Sequence, residues 1–135
     1  MYEILMDEKI LYYPGDMISA VTEARITEVL NDSGYMDIRI PPNNPLRECI
    51  YERKSVILVK KDTSTVWEGE ITEISETMKK EQKLYVTGVL SYLNDSLQED
   101  REFLEKTPVQ ILGELLNEHN SQVEPKKHFY NGQNF

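Results

Sequence analysis

Two imidazoles, His119 and His128, are the side chains best suited to moving protons near neutrality, because histidine titrates there without help from its surroundings. Neither stands where that chemistry would be used. His119 falls in the polar end of an amphipathic segment, where a cation complements a helix dipole. His128 follows Lys126 and Lys127 in a tail expected to be mobile. Their separation does not match a helical zinc pair, so no metal site is expected. Glu68, Glu70 and Glu73 are carboxylates of one hairpin, and glycoside hydrolysis needs two facing one cleft. Glu68 and Glu70, however, alternate with Trp67, Gly69 and Ile71, the pattern of a half-buried strand whose polar side meets water or a partner. Cys49 has no histidine or asparagine that the sequence places beside it, and is expected as a core thiol. Glycines occur singly at 15, 34, 69, 88, 113 and 132, so no phosphate-cradling loop and no nucleotide cofactor is expected. No catalytic, cofactor-binding or metal-ligating residue is assigned. The eight tyrosines suit interfaces and strand cores better than ligand stacking.

The elements that must position these residues come from a chain of 135 residues, one domain's worth with room for little beyond one core. Lys plus Arg total 15 against 24 Asp plus Glu, a net charge of -9, the wrong sign for gripping a phosphate backbone. Stable nucleic-acid binding is therefore not expected. A single cysteine fits a reducing compartment, and the start Met1-Tyr2-Glu3-Ile4 has neither the basic nor the apolar region of a signal peptide. No apolar run approaches the roughly 20 residues of a membrane span, so insertion is not expected.

Apolar residues recur with period two through the first half, which predicts strands. Tyr2–Met6 and Lys9–Tyr13 flank a turn at Asp7-Glu8, and Ala20–Leu30 and Met36–Ile40 flank Asn31–Gly34. Asn44 and Pro45 open one helical turn that sets Leu46, Cys49 and Ile50 against the core. Val56–Val59 and Val66–Ile71 make a further hairpin, and a slip in the alternation predicts a bulge near Thr72 or Glu73. Leu84–Leu90 is the last strand. A charged connector at 98–102 leads to Thr107-Pro108-Val109-Gln110, a capping box that starts a helix over about 107–119 with the stripe Val109, Leu112, Leu115 and Leu116. Phe129 to Gly132 reads as the start of another hairpin, and the chain is expected to stop within a second domain. The fold expected is mainly β: an antiparallel barrel over residues 1–97, then a connector, a helix and the start of a second domain over 98–135.

Read in order, Tyr2–Asp7, Ala20–Ala24, Leu30–Gly34, Ile40-Pro41-Pro42 with Asn44-Pro45, Trp67–Ile71, Leu90–Ser96 and Thr107–Asn120 resemble the N-terminal region of phage minor structural proteins. These are tail-associated proteins of siphophages and prophages of Gram-positive bacteria, often labelled prophage endopeptidase tail proteins. The resemblance spans essentially the whole chain. It implies a hub-type β-barrel, a virion tail-tip or baseplate hub subunit made in the bacterial cytoplasm, a homotrimer in the full-length protein around the tail channel, and partners of the distal-tail and tape-measure type. The endopeptidase label is not carried over, since a catalytic region would lie C-terminal to these residues. One departure is Asp7-Glu8 where Asp-Gly would be expected. The alternatives are a cell-wall saccharide-binding module with Trp67 and the tyrosines as its platform, and a fragment of a peptidoglycan hydrolase.

Overall fold

The structure, a computed structural model, describes residues 1–99 and 102–130. The chain forms two compact units that divide between Val89 and Leu90. The first is mainly β, as the alternation predicts, and one α-helix follows in the second.

Seven antiparallel strands build the first unit: β1 (Tyr2–Met6), β2 (Lys9–Tyr12), β3 (Glu23–Thr27), β4 (Tyr35–Ile40), β5 (Val56–Lys61), β6 (Ser64–Glu76) and β7 (Gln82–Gly88). Their order across the sheet is β2-β1-β5-β6-β7-β4-β3, which leaves β2 and β3 as edges. The sheet curves into a half-barrel. Its inner face carries the core, with Ile4, Met6, Leu11, Met36, Ile38, Ile40, Ile57, Val59, Ile71, Leu84 and Val86 all buried. On β4, β5 and β7 buried residues alternate with less buried ones, so period two in sequence becomes one face in space.

The first hairpin turns on two residues of positive φ, Asp7 (49°) and Glu8 (70°), as a two-residue loop matched to strand twist requires. Glu8 therefore sits where glycine is more comfortable. Asp7 compensates by joining β5: its amide donates to Val56 O at 3.1 Å and its Oδ1 accepts from Val56 N at 3.0 Å. The expected bulge is present, since the β6–β7 register shifts between Ile71 and Glu73. Thr72, the extra residue, donates its hydroxyl toward Tyr85 O at 3.3 Å and shares a hydrogen bond with Thr87 Oγ1 at 3.0 Å. β3 is shorter than the expected strand from Ala20 to Leu30: it runs from Glu23, opposite Arg39, to Thr27, opposite Tyr35 where β4 begins, and left-handed Asn31 (φ 61°) and Gly34 (φ 73°) shape the turn between them. Gly88 ends β7 where only glycine fits: a Cβ there would meet Ser33 O at 2.0 Å.

A 3-10 helix runs from Val89, the last residue of the first unit, to Asp95, where the sequence suggested the end of a strand. Helix α1 spans Pro108–Gln122, three residues past the expected end, and its capping box is complete: Gln110 N donates to Thr107 Oγ1 at 3.3 Å and Thr107 N donates to Gln110 Oε1 at 3.0 Å. Leu115 and Leu116 are half-buried, while Val109 and Leu112 remain exposed. Phe129 and Tyr130 form no strand, and the rest of the expected hairpin, Asn131 onward, lies outside the described residues.

Candidate functional site

The half-barrel leaves a seam where its edges fail to meet. A cleft of about 430 Å³ lies there, lined by Tyr2, Ile4 and Tyr12 from one edge and by Val21, Ala24 and Ile26 from the other. Met36 and Val59 form its floor, and Thr22 and Glu23 supply polar groups. Among the described residues β2 pairs only with β1 and β3 only with β4, so neither has a strand on its other side, although on β2 Leu11 O is taken by Asn44. Asn44, 3% exposed, ties the two sides together beyond the cleft. Its Nδ2 donates to Leu11 O at 3.0 Å and to Ala20 O at 2.9 Å, while its Oδ1 accepts from Leu46 N at 3.0 Å. Both amide hydrogens and the carbonyl oxygen are used, so this asparagine is a clamp and not the opening of the helical turn expected of it, which instead spans Arg47–Cys49 with Leu46 at its cap.

The outer face of the sheet carries a second constellation. Tyr35 and Tyr85 stack with ring centroids 5.4 Å apart and planes 26° apart. Asp37 and Glu73 stand directly across from Tyr85 on the two neighbouring strands. The Tyr85 hydroxyl is held above the usual phenol range, first by burial and then by Tyr35, Asp37, Asp32 and Glu73.

The second unit is organised around His119. This residue is 1% exposed, contrary to the expectation of a solvated cation at the helix end. Its Nε2 lies 2.9 Å from Lys127 O, an acceptor, so Nε2 carries a hydrogen. In the neutral ring Nδ1 then accepts from Ser96 Oγ at 2.7 Å. Phe129 packs on the ring at 5.6 Å between centroids, and Asn120 exchanges two hydrogen bonds with the Phe129 backbone, at 2.7 and 2.9 Å. Lys127 pairs with Asp95 at 2.7 Å and lies over Tyr92. His128 is half-buried, its Nε2 donating to Val123 O at 3.1 Å, so this part of the tail is held in place.

The remaining candidate residues are not brought together. Glu68 is exposed, but Glu70 is 2% exposed, which corrects the view that both face water. Glu70 sits mid-sheet, in register with Val56 on β5 and Thr87 on β7. Glu73 is exposed, and Cys49 packs partly buried against the core as expected. Trp67 also packs against the core. Among the described residues, no cluster of three His, Cys, Asp or Glu is placed to hold a metal ion, and no helix is long and apolar enough to cross a membrane. Sequence reasoning missed the Asn44 clamp and the seam, since both depend on strand order. The chain matches no protein-family model and no curated protein.

Proposed function

We propose that this chain is a structural subunit of a phage or prophage tail tip, one that completes its sheet against other tail proteins. Two things support the reading: the ordered motifs from Tyr2 to Asn120, and an antiparallel half-barrel whose two edge strands flank an apolar cleft. The seam carries it. An edge strand offers a row of unpaired amides and carbonyls, and another strand satisfies them while its alternate side chains fill the cleft. β2 is short, and Lys9, Glu23 and Arg25 discourage indiscriminate pairing, whereas Ala24 and Ile26 keep the cleft side apolar. In this reading the full-length protein is a homotrimer around the tail channel, docked to partners of the distal-tail and tape-measure type. The net charge of -9 suits a surface that DNA passes without being held.

The reading assigns no catalysis to these residues. Neither alternative gains from the geometry: Trp67 is turned onto the core, and Glu68 and Glu70 end in unlike surroundings. Immunogold labelling of particles induced from the encoding bacterium, with antibody raised against this chain, is expected to mark the tail end opposite the capsid. Ile26→Lys, which puts a charge in the cleft, is expected to keep the protein off the particle. Particles that contain none of the chain by immunoblot would overturn the reading.

A further inference from the structure

The outer face of the sheet takes no part in the assembly reading, and its chemistry is independent of that reading. Strands β3, β4, β7 and β6 set Arg25, Asp37, Tyr85 and Glu73 in one cross-strand row. Tyr35 lies on the same face and stacks on Tyr85, which is 38% exposed. Neither Asp37 nor Glu73 has an ion pair among the described residues. The cation nearest in register, Arg25, is turned along its own strand to Glu23 at 3.8 Å, and Arg39 also reaches Glu23, at 3.6 Å. Lys83 lies in the adjoining row, across from Arg39. The row is thus an aromatic surface with a carboxylate on either side and its nearest guanidiniums drawn elsewhere.

We propose that this face docks an arginine side chain presented by a partner protein, the guanidinium lying over the Tyr35–Tyr85 pair between Asp37 and Glu73. Charge complementarity selects this occupant. An aromatic ring attracts a cation to its face, and flanking carboxylates accept its N–H groups. Arginine fits better than lysine, because a planar, weakly hydrated guanidinium can stack and bond sideways at once. The Tyr85 hydroxyl is raised first by burial and then by Tyr35, Asp37, Asp32 and Glu73, and a cation would offset only the part that comes from the neighbouring charges.

The test is an NMR titration of the full chain with acetyl-Gly-Arg-Gly-amide, alongside peptides carrying lysine or citrulline in place of arginine. The arginine peptide is expected to shift the Tyr35 and Tyr85 ring signals saturably, with a dissociation constant on the order of 1 mM for so small an exposed contact. Citrulline, isosteric but neutral, is expected to give no saturable shift, and lysine a weaker one. The double variant Asp37→Asn with Glu73→Gln should weaken binding about tenfold, and Tyr85→Leu about two- to fivefold. Tyr85→Phe keeps the ring and should stay within about twofold. A control that removes equal charge elsewhere, Glu8→Gln with Glu48→Gln, should also stay within about twofold. Methyl signals of the buried Ile38, Ile71 and Val86 check that each variant is folded. Should the double variant fail that check, Glu73→Gln alone, on an exposed position, is expected to weaken binding about threefold. Equal weakening by the two charge-removing doubles, equal binding of lysine or citrulline, or no saturable shift would each overturn the proposal.

Discussion

Each of the two units is held together internally by its own kind of interaction. The sheet unit buries eleven apolar residues on one curved face, whereas among the described residues from Leu90 onward only Tyr92 and His119 are buried. Cohesion in the sheet is a sum over many interchangeable contacts, roughly proportional to the apolar area removed from water. Cohesion around α1 runs through one imidazole that joins Ser96, Lys127 O and Phe129, residues the chain brings together from separate segments. A sum degrades gradually. A hub fails when one member is removed.

Three substitutions and two pH titrations test that contrast. The largest effect is expected from Ile71→Ala, fully buried at the centre of the sheet, which should cost the sheet unit roughly 2–5 kcal/mol in urea unfolding. Loss of amide protection confined to residues 90–130 instead would break the comparison. Next is His119→Phe, which preserves volume but strands Lys127 O and Ser96. It should lower protection from Leu90 to Tyr130 by about 1–3 kcal/mol and leave β1–β7 unchanged. Were an apolar ring tolerated there, the hub would be a core like the other. Thr107→Ala removes the cap of α1 and should cost about 1 kcal/mol by helical signal on heating.

The smallest effects are those of pH, and both belong to the sheet unit. Tyr85 has a raised folded pKa, so its contribution is complete below the ordinary phenol value of 10.0 and is lost as pH climbs through the folded value. In an absorbance titration Tyr85→Phe should remove a late-ionising tyrosine step. Asp16 is lowered by the amides of Ile18 and Ser19. Its contribution is present above 3.8 and lost as pH falls through the lower folded value, a difference that Asp16→Asn should abolish.

Much of the sheet was legible because period two survives in sequence wherever one face is buried. The Asp7-Glu8 turn, the bulge at Thr72 and the Thr107 capping box are local features, and each stands where its residues put it. What was not legible depends on distant neighbours. Glu70 looks solvated by alternation alone, yet it is buried at a central place in the sheet, between β5 and β7. Leu90 and Tyr92 continue the alternation of β7, yet belong to a 3-10 helix. His119 sits among polar neighbours in sequence, while the partners that bury it are a serine 23 residues back and a main-chain carbonyl beyond the helix. The seam residues are ordinary strand residues until the order of strands makes β2 and β3 the edges.

That strand order also governs timing. β5, β6 and β7 form a meander of neighbouring strands, whereas β1 pairs with β5 and β4 with β7 across long stretches of chain. The two N-terminal hairpins are synthesised first, but each lacks its long-range partner until the meander has left the ribosome. Loop closure over such separations is slow relative to forming a local hairpin. During translation the nascent chain therefore carries two half-solvated hairpins with exposed apolar faces, and the sheet can close only after Gly88 has emerged. Crowded polysomes, rather than the finished molecule, are where this protein is most exposed to mispairing.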